Sequence, residues 1–171
     1  MSPEWKGILK IVEAKQIRNG HVIWQSTNLY NTIHTGGEEM ILKTLFYNDG
    51  TMPPSYYYLG LDNRVSIAYA NTMADLVDEP AGSGYTRQQL SSSTTSSGWL
   101  VSGAALLHKA VSNIVSFQAT SSYGPIGNLF LTDKSNNTGY LISSVALTSS
   151  VMMSPGDVLS LRMTLSLKDC P

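Results

Sequence analysis

Cysteine is almost missing from the chain. The one present, Cys170, has no partner for an internal disulfide and cannot build a thiolate metal site. Charge is scarce as well: Asp, Glu, Lys and Arg make up 13% of 171 residues, where about 25% is ordinary. Eleven basic and twelve acidic residues nearly cancel, to a net charge of −1. The basic ones form no stripe and no interleaved basic–aromatic run, which excludes the electrostatic footprint of a nucleic-acid binder. No apolar stretch approaches the ~18 residues that a membrane-spanning helix needs. The opening Met-Ser-Pro-Glu-Trp-Lys has no basic region followed by an apolar run, so synthesis in the cytosol without a secretory leader is expected.

Ser, Thr, Asn and Gly stand where the charges would be. Hydroxyls cost far less to bury than ions, so this composition suits β-sheets and surfaces that neighbours cover. A hydrophobic fraction of 42% is ordinary for a folded protein and excludes a solvated tail. The length fits a single domain, 1–171, that buries roughly 70% of its unfolded surface. Within it, a hairpin-plus-helix subregion is expected over 1–50 and a β-sandwich over 55–171.

The clearest pattern closes the chain. After Pro155-Gly156-Asp157, Leu159, Leu161, Met163, Leu165 and Leu167 fall on one parity, and Ser160, Arg162, Thr164, Ser166 and Lys168 on the other. A period of two predicts a strand with the leucines on a core and the polar set in water. Near the start, residues 8–17 and 21–30 are joined by Asn19-Gly20, the strongest short signal for a type I′ hairpin. Residues 5–12 carry apolar side chains on both parities: Trp5, Leu9 and Ile11 on one, Ile8 and Val12 among lysines on the other. This marks the hairpin as the expected partner-facing element, and residues 1–30 as removable without unfolding the second half.

Thr35 with Glu38 has capping-box spacing, and Met40, Ile41, Leu42 and Leu45 recur at helical intervals until Asn48-Asp49-Gly50. One helix is predicted, over 36–47. Strands are predicted at 56–61, 85–90, 99–101, 104–109, 114–120, 126–132 and 140–147, with a short helical turn within 71–77. Short strands at regular spacing between Gly-rich turns predict a mainly β protein, an antiparallel sandwich of jelly-roll type.

Chemistry-bearing residues do not assemble into a recognised set. His21, His34 and His108 lack the spacing that lets two ligands reach one metal from one element, so they read as structural. Asp75, Asp78 and Glu79 could line a cation site, but no Ca-loop pattern surrounds them and a solvated loop edge explains them better. Glu38 and Glu39 suit the first turn of a helix. Gly82-Ser83-Gly84 is no nucleophile elbow, and Asp62 has no sequence-level His and Ser partner. Gly36-Gly37 reads as a helix start rather than an anion cradle, and Asn136-Asn137-Thr138 as a turn. Alternation sends Tyr57 to the face opposite Tyr56 and Tyr58. Trp5, Trp24 and Trp99 are core or interface candidates. No catalytic, cofactor-binding or metal-binding residue is expected, and no cofactor.

The order of several segments carries a resemblance. They are Trp5-Lys6-Gly7, the stretch Asn31-Thr32-Ile33-His34-Thr35-Gly36-Gly37-Glu38-Glu39, Tyr57-Tyr58-Leu59-Gly60-Leu61-Asp62-Asn63, and Gly82-Ser83-Gly84-Tyr85-Thr86-Arg87-Gln88. Tyr123-Gly124-Pro125 leading to Thr132-Asp133, and Pro155-Gly156-Asp157 before the last strand, complete the series. Together they resemble small virion structural proteins of tailed bacteriophages. The resemblance implies a β-sandwich scaffold without catalysis, located on the virion after synthesis in the host bacterial cytoplasm. It further implies a capsid decoration or cement protein whose partners are the major capsid protein or other virion proteins. Self-assembly is expected, as a trimer or another symmetric oligomer, with no nucleic-acid or membrane partner. The alternative is a tail, baseplate or fibre-associated module that binds host-surface glycan through exposed aromatics.

Overall fold

Asn19 and Gly20 take φ of 50° and 79°, the two left-handed residues of a type I′ turn, and this turn joins β1 (Trp5–Arg18) to β2 (His21–Tyr30). The computed structural model describes residues 5–47, 53–81, 84–92, 98–104 and 107–169, without the side chains of 5–12, 28, 102–104, 107–108 and 166–169. The two-faced apolar pattern expected for residues 5–12 therefore lies outside the described side chains, as do Cys170 and Gly82-Ser83. Beyond β2 come β3 (Thr32–Ile33), α1 (Thr35–Phe46), β4 (Tyr56–Asp62), a 3-10 turn at Met73–Asp75 and β5 (Gln88–Ser91). The second half holds β6 (Trp99–Ala104), β7 (Leu107–Ser112), β8 (Val115–Gln118), β9 (Tyr123–Thr132), β10 (Leu141–Met153) and β11 (Val158–Asp169).

The protein is mainly β, an antiparallel sandwich of two sheets with one α-helix among the described residues. One sheet runs β2-β1-β11-β7-β6, with β8 also paired to β11; the other runs β3-β10-β9-β4-β5. β11 is the spine of the first sheet. It pairs with β1 from Trp5↔Asp169 to Ile17↔Val158, and its other side is shared between β8 and β7. β1 is thus an interior strand, and removing residues 1–30 would strip β11 of its longest partner. The expectation that the second half would stay folded without them does not fit this pairing.

Leu159, Leu161 and Met163 of β11 are buried against Leu59, Leu61, Leu129 and Leu131 of the second sheet, as the alternation predicts. The opposite parity does not all face water. Arg162 is exposed, but Ser160 and Thr164 are buried because β11 has neighbours on both sides; the Ser160 and Ser116 hydroxyls meet at 2.9 Å. The second sheet is covered on both faces. Ile67, Met73 and Leu76 from the 63–87 connection pack with Phe130 and Leu141 on its outer side, so β9 is buried continuously from Asn128 to Thr132. Gly60 admits the Phe130 ring: a Cβ there would lie 2.1 Å from Cζ.

Boundaries moved where tertiary contacts outweighed turn signals. β9 starts at Tyr123, inside the predicted Gly-Pro turn, and β10 runs on to Met153 rather than stopping at 147. Between Ala146 and Val151 the β10 register slips by three residues against β9. Its Thr148 and Ser149 hydroxyls reach across to Ser26 and Trp24 of β2. The strand expected over 85–90 forms only at Gln88–Ser91, because Tyr85 and Arg87 turn inward to the contacts described below.

Candidate functional site

The predicted helix forms one residue early, and its start differs from the expected capping box. His34 is the N-cap residue with no side-chain cap bond. Glu38 instead accepts a hydrogen bond from the Tyr69 hydroxyl at 2.9 Å. The first turn is fixed by close approach. A Cβ on Gly37 would lie 2.2 Å from the Ile142 carbonyl oxygen, so the helix backbone lies directly on β10.

Beyond that turn α1 rises from the sandwich. Met40 is buried, but Leu42, Leu45, Phe46 and Tyr47 are 58%, 66%, 80% and 62% exposed. Beneath the rising end lies an apolar groove of about 380 Å³, walled by Met40, Leu45, Tyr57, Trp99, Leu131 and Leu165. Tyr57 meets Trp99 edge-on at 6.4 Å, and the Trp99 Nε1 is buried without an acceptor. Tyr57 thus faces inward while Tyr56 is exposed, as alternation requires. Groove and helix end together form a continuous apolar surface open to solvent.

His34 is buried. Its Nδ1 lies 3.0 Å from the Tyr69 carbonyl and its Nε2 2.8 Å from the Ser144 hydroxyl. A carbonyl only accepts, so Nδ1 carries the proton and Nε2 accepts from Ser144. Burial pushes the His34 pKa below its usual 6.5. The ring ties the α1 start to β10 and to the 63–87 connection. His21 is exposed at the hairpin, and the His108 side chain lies outside the described residues.

The acidic trio does not converge. Asp75 Oδ2 accepts from the Thr72 backbone N–H and hydroxyl and closes the 3-10 turn. The Asp78 backbone carbonyl accepts from Asn63 N–H. Glu79 pairs with Arg87 and accepts from the Tyr85 hydroxyl at 2.7 Å. No group of three or more His, Cys, Asp or Glu among the described residues could hold a metal ion. Asp62 is buried and committed to Arg64, through its backbone N–H at 3.0 Å and its Nε at 2.9 Å. Asn136 Oδ1 accepts from Thr138 N–H and hydroxyl, which makes the expected turn.

Two networks went unrecognised in the sequence. Arg87 binds both Glu79 oxygens, the Asn136 carbonyl and Asn137 Oδ1, and its guanidinium lies 5.2 Å from the Phe130 ring centre. The Tyr85 hydroxyl accepts from Leu61 N–H at 2.9 Å, and burial beside Glu79 raises its pKa well above the usual range. The Gly-Tyr-x-Arg segment is therefore a clamp on the edge of the second sheet. The second network centres on Asp157, which is wholly buried. Its Oδ1 accepts from Arg18 Nε, and its Oδ2 from Arg18 Nη2, Gln16 Nε2 and Ser154 N–H, all at 2.7–2.8 Å. The Arg18 guanidinium holds the Asp157 pKa down at about 2. Gln16 and Arg18, two apart and both polar, share one face of β1 opposite a Gly-Asp turn, and that pairing was the available signal.

These networks link elements far apart in sequence and hold no solvent-facing reactive group. The groove and the apolar helix end, by contrast, are open to solvent. No family model, no curated protein and no solved structure matches the chain.

Proposed function

We propose that this chain is a non-enzymatic structural protein of a tailed-bacteriophage virion, a decoration or cement protein that stabilises the head through subunit contacts. The observation that carries the reading is the helix end over its groove. Four large apolar side chains stand exposed beside an apolar trough, a surface that a free monomer leaves wet and an assembled particle would cover. Aromatic anchors beside a socket are the usual centre of a protein contact. The resemblance in segment order and the charge-poor composition support the same reading.

The test is to incubate the full chain with purified particles of its phage and locate it by electron microscopy. Regular density on the head lattice is expected. Combined Leu45→Asp and Phe46→Asp should weaken binding at least tenfold while stability shifts by only about 0.5 kcal/mol, as for exposed sites. Undiminished binding by that variant would remove the helix end from the contact. The second reading, a tail or fibre-associated glycan binder, draws on Tyr57 and Trp99 in the groove wall. Labelling of tails alone, with saturable binding of host polysaccharide, would put it in place of the first.

A further inference from the structure

β2 is a long edge strand without the usual protection. It is ten residues long and ends its sheet, and from Val22 to Tyr30 it carries no charged side chain, no proline and no glycine. Natural edges are blunted by shortness, lysine, proline or bulges. The second sheet follows that rule, ending in β3 of two residues and β5 of four. β2 has one bulge, at Ile23, next to the hairpin turn; from Trp24↔Gln16 to Tyr30↔Lys10 its register is unbroken. Its inward side chains pack on β10, through Trp24 to Ser149 and Ser26 to Thr148. Val22 and Ile23 are about half exposed, at 52% and 48%.

We propose that β2 pairs antiparallel with β2 of a second copy across a two-fold axis, so that the first sheets of two molecules become one. This deepens the proposed role and rests on reading the chain as a docked building block. Three features select a second copy. Among the described residues no strand pairs with the outer side of β2, and a second strand matches the alternating donors and acceptors of such an edge in one ladder. No charge lies along the strand from Val22 to Tyr30, so two identical edges meet without repulsion there, and on the neighbouring β1 Glu13 and Lys15 pair with each other at 3.7 Å. Finally, the unbroken segment offers about six ladder hydrogen bonds. At one per 100–200 Å² this corresponds to roughly 600–1,200 Å² of interface, which reaches the ~1,000 Å² of a specific contact once Val22 and Ile23 join it. A two-fold contact also consumes the bare edge and closes. Head-to-tail pairing of β2 with the opposite edge β6 would instead continue from copy to copy.

Sedimentation equilibrium of the isolated full chain, from 1 to 100 µM protein, tests this on the order of magnitude expected for such an interface. A dimer is expected, with β2 amides more protected from hydrogen exchange at the high end of the range. The variant Ile23→Lys with Thr27→Lys should shift it to monomer, with an unchanged far-ultraviolet spectrum. A wild-type monomer throughout, a trimer, or a dimer that survives the double lysine change would each overturn the pairing. Head binding is read separately. A dimer that does not bind heads keeps the pairing and removes the virion reading, while a monomer that binds heads does the reverse.

Discussion

Asp157→Asn breaks the contact that fastens the β10–β11 turn to β1. The wild-type carboxylate accepts from four donors: Gln16 Nε2, Arg18 Nε and Nη2, and Ser154 N–H. Asn keeps the shape but turns one accepting oxygen into an amide aimed at donors, and it leaves Arg18 without its counter-ion. Loss of a buried charge-assisted network of this kind costs roughly 2–4 kcal/mol. Its pH dependence is a sharper signature. The folded pKa of about 2 lies below the ordinary 3.8, a difference worth ~2.4 kcal/mol at full strength. Asp157 is enclosed but Arg18 is 42% exposed, so solvent screening reduces the recoverable part to roughly 1–2 kcal/mol. Because the pKa is depressed on folding, this stability is fully present above the unfolded value. It drains as pH falls from 3.8 through about 2, where the protonated carboxyl resembles the amide. Urea unfolding followed by tryptophan fluorescence, on wild type and variant between pH 7 and pH 2, measures the difference. Other groups titrate alike in both proteins and cancel. A gap that stays constant between pH 5 and pH 2 would refute the latch.

His34 titrates in a separate window. Burial lowers its folded pKa below 6.5, so it stabilises the fold above that pH and the contribution fades as pH falls through it; an imidazole proton resonance with a midpoint at or above 6.5 would contradict the geometry. Gly37→Ala sets a helix-propensity gain of ~1 kcal/mol against a Cβ driven into the Ile142 carbonyl. Overpacking should prevail by about 1–2 kcal/mol, and a Gly37→Ala variant as stable as wild type by thermal melting would show that the helix start is not seated on β10.

Architecture was legible where a short-range rule acted alone. The Asn19-Gly20 turn needs two left-handed residues, and no other feature of the chain competes for that position. The closing strand was visible because its leucines keep strict parity. Reading its polar parity as wet held for Arg162 and failed for Ser160 and Thr164, because alternation reports which face is apolar but not which flanking strands crowd the small polar side chains of the other, and that pairing has no local signature. The capping box failed for a related reason. Thr35 and Glu38 have the right spacing, but Tyr69, 31 residues away, takes the carboxylate, and His34 is held by Tyr69 and Ser144. The groove was invisible because its wall joins a helix, the second sheet and the first.

Scarcity of charge acquires a different meaning once its placement is known. Arg18–Asp157, Arg64–Asp62 and Arg87–Glu79 each join a turn or connection to the sandwich, with Asp157 and Asp62 fully enclosed and Arg87 only 6% exposed. A chain already poor in ions commits six of them to these pairs and encloses Asp62, Asp157 and Arg87, so fewer are left to charge its outer skin. Such a skin repels its own copies weakly and costs little to desolvate, because hydroxyls and apolar groups carry small hydration penalties beside those of ions. For a freely diffusing monomer this is a liability. For a subunit of the kind proposed, with edge strand and helix end covered on assembly, it is the surface that would let apolar burial dominate the contact.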